Sequence, residues 1–212
     1  MNRALLLDLD GTLADSMGVM RDSYRQFLHA HGRQDSDAEF QRLVGPPLEQ
    51  VIADLKRTHS LKPNVATLLK QYLDLVHTVF DTVEPMPGAE TLLKRAKNHD
   101  WAVGIVTSST QPLTHRWISR TGLASMIDLI IGGGDVEHGK PDPEPYLLAL
   151  KRLNISSDNA LAVEDSRSGA QAAVAAEIRT FVLGNPTGCG CGEWPIVAGY
   201  IQRLDQLCNR IQ

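Results

Sequence analysis

The sequence predicts an α/β protein in three layers, a parallel sheet between two layers of helices, with an all-helical segment inserted after the first strand. Three observations predict it. The run from Ala4 to Leu9 is apolar and is cut by acidic residues at its end, as in a strand buried on both faces. From about Glu84 onward, short apolar runs alternate with helical patterns. From Met17 to about Val83 the chain shows helical periodicity only.

The later strands are predicted from four short apolar runs: Ala102–Val106, Leu129–Ile131, Ala160–Val163 and Thr180–Leu183. Between them, apolar residues recur at helical spacing from Ala89 to Ala96, from Tyr146 to Leu153 and from Ala170 to Ala176. Such alternation favours right-handed crossovers and a Rossmann-like core. In that architecture ligands bind beyond the carboxyl ends of the strands, so each strand end is a candidate site.

The inserted segment begins with an apolar helical face from Met20 to His31, closed by Gly32. The spacing of Ser36 and Glu39 is typical of a capping box, which predicts the start of a second helix. Gly45-Pro46-Pro47 ends that helix, and a long amphipathic helix is predicted from Val65 to Phe80.

This pattern predicts two domains. Residues 1–16 and 84–212 form the core domain, and residues 17–83 form a helical cap domain. The two connections, near Ser16 and near Pro85, would make a hinge between them.

Composition limits the classes of partner. The chain has 212 residues, 42% of them apolar and 22% charged, with a formal net charge of −4. These values are typical of a folded globular protein. No cluster of basic residues suits a nucleic-acid backbone, and the apolar run from Ala4 to Leu7 is too short for a signal peptide or a membrane span. We therefore expect no nucleic-acid or membrane partner and a cytoplasmic location, with monomer and homodimer both open.

The three cysteines, Cys189, Cys191 and Cys208, are an odd number in a chain of this length. This argues against a secreted disulfide scaffold and favours reduced thiols. Cys189-Gly190-Cys191 is either half of a metal site or a flexible glycine-rich turn. The turn is favoured, because no second Cys or His pair lies nearby in the sequence.

Two carboxylates follow the first strand, in Asp8-Leu9-Asp10-Gly11-Thr12-Leu13. A spacing of two places both on one side of an extended backbone, where they repel unless a cation or a shared proton lies between them. Gly11 lets the backbone approach a ligand closely. The alternative is a polar turn in which Asp10 only bonds to the backbone.

Three other strand ends carry polar groups. Thr107 and Ser108 could seat a phosphate oxygen, although a hydroxyl before a helix is more often an N-cap. Lys140, between Gly139 and Pro141, could offset a phosphate charge or simply be an exposed lysine. Glu164 and Asp165 add hard oxygen ligands to those of the first strand, and this set suits Mg²⁺.

With these motifs the chain resembles the haloacid dehalogenase superfamily, in its branch with a helical cap after the first motif, similar to phosphoglycolate phosphatase and β-phosphoglucomutase. Four segments carry the resemblance, in order: Asp8-Leu9-Asp10-Gly11-Thr12-Leu13, Val106-Thr107-Ser108, Gly139-Lys140-Pro141-Asp142-Pro143 and Glu164-Asp165-Ser166-x-x-Gly169. Together they span nearly the whole chain.

The resemblance implies a Mg²⁺-dependent phosphatase for a small phosphorylated metabolite. Asp8 would attack phosphorus, and Asp10 would protonate the leaving alkoxide and then activate water. Thr107 or Ser108, with Lys140, would hold the phosphoryl oxygens. Metal ligands would be Asp8, Asp165 and the backbone carbonyl of Asp10, with Glu164 as a ligand or as a partner behind them. The cap would close over the site and exclude water.

Departures from the family pattern narrow the activity. The dehalogenases and the phosphonate hydrolases differ at the position of Asp10, so neither activity is expected. Glu177 stands where the family often has Gly, which leaves the turn near Ile178 open. Sugar phosphomutases carry cations around the cap-loop glycine. Here Val44 precedes Gly45 and Pro46 follows it, which favours hydrolysis, although Arg42 or Lys56 could approach from a neighbouring turn.

Two other classes of protein share some of these features. A signalling receiver domain also gathers acids, a hydroxyl and a lysine around Mg²⁺, but its phosphorylated acid follows the third strand rather than the first. A non-catalytic scaffold that binds a phosphorylated ligand is disfavoured by the presence of Asp8, Asp10 and Lys140 together.

Overall fold

A computed structural model of the protein describes residues 2–44, 46–184 and 193–212. Its centre is a six-stranded sheet in the order β3-β2-β1-β4-β5-β6, with every neighbouring pair parallel. The strands are β1 (Ala4–Leu7), β2 (Ala102–Val106), β3 (Leu129–Ile131), β4 (Ala160–Glu164), β5 (Arg179–Leu183) and β6 (Gly199–Ile201). The predicted parallel α/β fold is confirmed.

Alternate residues of β1 face opposite sides of the sheet and so build two apolar layers. Leu5 and Leu7 pack in one buried cluster with Leu92 of helix α5 (Ala89–Asn98) and with residues of α6 (Gln111–Arg120). Ala4 and Leu6 pack in a second cluster with α7 (Glu144–Leu153) and α8 (Arg167–Ala175). The three predicted layers follow from this alternation.

Four helices fill the segment between β1 and α5: α1 (Met17–Ala30), α2 (Asp37–Leu43), α3 (Leu48–His59) and α4 (Val65–Phe80). The bounds of α4 are those predicted from its apolar face. Both α1 and α3 pack on α4, and the rings of Phe27 and Tyr72 meet edge to face at 5.4 Å. The segment is all-helical as predicted, and its division from the core as a separate domain stays a prediction.

The two connections of this segment lie side by side. Ala14 and Pro85 form an antiparallel bridge. The Asp15 amide donates to the carbonyl of Glu84 at 2.9 Å, and the Met86 amide donates to the carbonyl of Leu13 at 2.8 Å. The chain therefore leaves the sheet and returns to it at one place.

Several local predictions need correction. The first strand ends at Leu7 rather than Leu9, because a turn begins at Leu9, whose carbonyl accepts from the amides of Leu13 and Ala14. The strand β6 was not predicted, since only Ile201 of its three residues is buried and so short a run shows no period. Helix α3 was not predicted either, although Leu48, Val51, Ile52 and Leu55 have helical spacing.

The predicted capping box is half correct. The Ser36 hydroxyl accepts from the Glu39 amide at 3.4 Å, as an N-cap does. The return bond is absent, because the Ser36 amide donates to the Tyr24 hydroxyl at 3.2 Å and the Glu39 carboxylate instead contacts Tyr24 and His59. The turn near Ile178, which the sequence left open, has a left-handed backbone at Glu177, with φ of 59°.

Two further points concern composition. Cys208 is a free thiol, whereas Cys189 and Cys191 lie outside the described residues. Among the residues that the structure describes, no helix combines the length and the apolar character needed to cross a bilayer.

Candidate active site

The register of the sheet brings three strand ends to one place. Leu7 of β1 pairs with Ile105 of β2 on one side and with Val163 of β4 on the other. The residues that follow each strand are therefore neighbours in space. This is the geometric reason why sequence motifs more than 150 residues apart can form one site, as the strand-end argument predicted.

Lys140 lies at the centre of this edge and is buried. Its Nζ donates to Asp8 Oδ1 at 2.6 Å and to the carbonyl of Val106 at 2.8 Å, and lies 2.6 Å from Glu164 Oε1. Burial alone would lower the pKa of Lys140, but the charges of Asp8 and Glu164 and their hydrogen bonds raise it above its usual value. The lysine is therefore charged and is not the exposed side chain that the alternative reading allowed.

Glu164 is held from three sides. Besides Lys140, the Tyr146 hydroxyl donates to Oε1 at 2.5 Å and the Ser166 hydroxyl donates to Oε2 at 3.4 Å. Gly169 fits against this carboxylate, since a Cβ there would lie 2.0 Å from Oε2. Burial raises the pKa of Glu164, with the Asp8 charge adding to the effect and Lys140 opposing it. Glu164 is fully buried and does not border the cavity described below.

Asp165 completes a cluster of acids. One carboxylate oxygen from each of Asp8, Glu164 and Asp165 lies within 4.8 Å of the others. Burial raises the pKa of Asp165 well above its usual value, and the charges of Asp8 and Glu164 raise it further. Gly11, at φ of 82°, leaves room for Asp165, because a Cβ on it would lie 2.1 Å from Oδ2.

The cluster fits a divalent cation by its chemistry. Three carboxylates face one lysine, so together they lack positive charge, and hard oxygen donors are those that Mg²⁺ prefers. Asp8 and Asp165 also border the cavity, where a metal could meet a substrate oxygen. The residues present thus fit Mg²⁺.

Asp10 is arranged differently from the prediction of two carboxylates facing one cation. Its Oδ1 accepts from the Ser16 hydroxyl at 2.9 Å, and its Oδ2 accepts from the Ser109 hydroxyl at 2.7 Å. Within the described residues its carboxylate is not part of the acid cluster. Of the groups of Asp10, only the backbone carbonyl therefore remains as a predicted metal ligand. Burial raises the pKa of Asp10 to about 6, and the charge of Asp8 contributes to the rise.

The hydroxyl loop after β2 also departs from expectation. Helix α6 begins at Gln111, so Thr107 and Ser108 lie before the helix rather than at its start. Thr107 Oγ1 accepts from the Ser109 amide at 3.0 Å and so stabilises the loop itself. Both Thr107 and Ser108 border the cavity.

A cavity of about 140 Å³ lies above these residues. Its floor consists of polar groups from the strand ends, among them Asp8, Asp10, Ser108, Lys140 and Asp165. Its wall comes from the inserted helices, with Met20, Phe40, Leu48 and Val76 among the lining residues. The structure therefore brings Asp8, Lys140, Glu164 and Asp165 into contact and places Asp10, Thr107 and Ser108 around the same space.

Sequence reasoning missed three supporting groups. The partners of Asp10, Ser16 and Ser109, gave no distinctive signal. Tyr146 did give one, because a phenol on the fully buried face of a helix needs a hydrogen-bond acceptor, and that acceptor is Glu164.

Comparison with known proteins shows the family of the chain. Residues 5–183 match the family model described as haloacid dehalogenase-like hydrolase. A phosphorylated carbohydrates phosphatase of Thermotoga maritima is 29% identical over 176 residues, which is 82% of each chain. A phosphoglycolate phosphatase of Photorhabdus laumondii is 28% identical over 180 residues, covering 82% of this chain and 76% of that one.

A solved structure of β-phosphoglucomutase from Clostridium difficile superposes with a TM-score of 0.85 over 98% of this chain and 93% of that one, at 20% identity, which supports the fold alone. The chain belongs to the haloacid dehalogenase-like hydrolase family. Within that family it stands with the phosphoric monoester hydrolases, as its four motifs predicted.

Proposed function

We propose that this protein hydrolyses phosphate monoesters of small metabolites through a phosphoaspartate on Asp8, with Mg²⁺ as cofactor. One observation carries the proposal. The carboxylate of Asp8 borders the cavity and accepts a hydrogen bond from Lys140 at 2.6 Å. It lies beside Glu164 and Asp165, so the negative charges of this cluster outnumber the positive charge of the lysine. A nucleophile held by a cation beside a candidate metal site is what attack on a phosphate dianion requires.

Asp8 first forms a bond to phosphorus while the bond from phosphorus to the alkoxide breaks. Asp10 gives its proton to that alkoxide, and its raised pKa of about 6 keeps the proton available closer to neutral pH than for an ordinary aspartate. In the second step water attacks phosphorus, Asp10 takes the proton from the water, and the bond to Asp8 breaks. Inorganic phosphate leaves, and both aspartates return to their starting state.

Ser16 and Ser109 keep Asp10 in place for both transfers, since each of its oxygens accepts one hydroxyl. Ser108 and Lys140 would hold the phosphoryl oxygens. We assign Thr107 mainly to the loop, because its hydroxyl already accepts from the Ser109 amide.

Asp8, Asp165 and the backbone carbonyl of Asp10 would hold Mg²⁺, which when bound supplies positive charge against the phosphoryl group. Of the two roles left open for Glu164, we favour that of a partner. It is fully buried behind Lys140 and bonded to Tyr146, so it orients the lysine rather than facing the cavity.

Hydrolysis is favoured over phosphoryl transfer between sugar positions. A mutase needs cations in the cap for a second phosphate. Lys56 donates to the carbonyls of Leu61 and Pro63 at 2.7 Å each, and Arg42 does not border the cavity. Among the described lining residues, Lys140 is the only lysine or arginine.

In this proposal, residues 17–83 form a cap domain that closes over the core domain. The paired connections near Ala14 and Pro85 are suited to act as its hinge. A cytoplasmic location, and the choice between monomer and homodimer, stay predictions.

The test is phosphate release from acetyl phosphate and a panel of monoesters with Mg²⁺, using wild type, Asp8→Asn and Asp15→Asn. Asp15 is exposed on the same loop and does not border the cavity, so it controls for a lost carboxylate. We expect Asp8→Asn to lose at least about 10⁴-fold in kcat and Asp15→Asn to remain within about twofold of wild type. Substantial turnover by Asp8→Asn would refute the covalent role.

A further inference from the structure

The wall of the cavity is apolar where the inserted helices form it. Of their described lining residues, only Tyr24 and Tyr72 carry a polar oxygen or nitrogen on the side chain. The others are hydrocarbon or methionine side chains, including Met20, Phe40, Leu48 and Val76. A substrate bound at the floor would place its alcohol part against this wall.

Only one of the two tyrosines has a hydroxyl that a substrate could use. The Tyr24 hydroxyl is taken by Glu39, which His59 also contacts at 2.8 Å. The Tyr72 hydroxyl has no hydrogen-bond partner within the described part of the chain, so it is the single hydroxyl that this wall can offer.

Arg21 of the insertion lies behind the wall, with its Nη1 buried and without a hydrogen-bond partner among the described residues. Arg21 lies over the rings of Tyr24 and Phe40, at 5.2 Å and 5.8 Å from their centroids. Its guanidinium donates to Asp35 at 2.5 Å and to Asp37 at 2.7 Å, and it does not border the cavity. A polyol in the cavity would thus lose water from several hydroxyls, while the wall offers a partner to at most one of them, through Tyr72.

We infer that the substrate's alcohol part is a small hydrocarbon group rather than a sugar or polyol. The inference rests on the proposed function and names the substrate class of the same site. The volume fits it, because a cavity of about 150 Å³ holds a group the size of benzene, and here the floor must also accept the phosphoryl group. A long lipid chain does not fit, and neither does a second charged group.

The experiment compares matched phosphate monoesters. Propyl phosphate is set against glycerol 3-phosphate, and butyl phosphate against erythritol 4-phosphate, so that chain length is equal within each pair. We expect kcat/KM to favour the alkyl member by at least about tenfold in each pair. From methyl to butyl phosphate we expect a rise of about fourfold for each methylene group. The polyols are the better leaving groups, so a difference in intrinsic reactivity would favour the polyol phosphates and act against the expected result.

A pair of variants locates the effect. Leu48→Gln introduces an amide into the wall, and Leu69→Gln makes the same change on α4 at a partly buried position outside the cavity. We expect Leu48→Gln to reduce the preference for butyl over erythritol phosphate by about tenfold, and Leu69→Gln to keep it within about twofold of wild type.

The outcomes separate the two proposals. Release from acetyl phosphate and from the polyols, with polyols equal to or better than their alkyl partners, overturns this inference and leaves the proposed function intact. Equal loss of preference in both Leu variants also overturns it. No release from any compound, acetyl phosphate included, overturns the proposed function and the inference with it.

Discussion

The floor and the wall of the cavity follow opposite physical rules. At the floor and directly behind it, Asp8 and Glu164 are buried and Asp165 is partly buried beside one lysine, an arrangement that costs stability unless a ligand offsets the charge. At the wall, the inserted helices present apolar side chains that pack as any core does. The cluster of like charges thus lies at the strand ends, where we propose the chemistry, while the insertion presents an apolar surface to the cavity.

Substitutions in the two regions are therefore expected to have different effects. A change at the floor should alter the reaction more than the fold, because buried like charges already oppose folding there. A change in the wall should alter which alcohol is accepted.

Removal of the metal is expected to have the largest effect, and it tests the role of the acids at the floor. Exhaustive chelation should reduce phosphate release to background, and Mg²⁺ should restore it, since the acids otherwise repel one another and the substrate. Mg²⁺ should also raise the melting temperature of wild type, because it binds the folded state. Full activity in metal-free buffer would show that the charge deficit at the floor has no catalytic role.

Asp10→Asn should have the next largest effect, and one that depends on the leaving group. We expect a fall of about 10²-fold or more in kcat for an alkyl phosphate and a smaller fall for p-nitrophenyl phosphate, because the phenolate needs no proton. Ser109→Ala serves as the companion variant, as it removes one bond to Asp10 and keeps the carboxyl. Equal losses on both substrates, with chemistry rate-limiting, would contradict proton donation by Asp10.

The sequence predicted most of the floor because parallel strands fix where their ends meet. Asp8 and Asp165 follow β1 and β4 directly, so that rule places them together, whereas Lys140, in the loop after β3, was left open between a site residue and an exposed lysine. It did not predict that Asp10 turns to Ser16 and Ser109, since hydroxyl rotamers and loop paths leave no pattern in the sequence. The residues of the wall could not be predicted from the sequence, for another reason. The helical period identifies which face of α4 is apolar but not whether Val76 meets another helix or a cavity.

Tyr146→Phe should have the smallest effect of the three, because Tyr146 supports Glu164 behind the floor rather than bordering the cavity. It leaves the ring in place and removes one donor from the buried Glu164. We expect the free energy of unfolding to fall by about 1–3 kcal/mol, with kcat reduced far less than in Asp10→Asn. Chemical denaturation with and without Mg²⁺ measures the first and steady-state kinetics the second. A loss of activity equal to that of Asp10→Asn would place Tyr146 in the chemistry rather than behind it.

The paired connections at Ala14 and Pro85 have a consequence for how such a protein can change. Because the outgoing and returning chains lie within hydrogen-bonding distance of each other, the helices between them, beyond Ser16, could be lengthened, shortened or exchanged without moving a strand of the sheet. In the proposed mechanism, the residues of the reaction other than Ser16 are thereby separated from those of the wall along the chain as well as in space. We expect that the wall could be rebuilt for a new substrate while Asp8, Lys140 and Asp165 keep their positions.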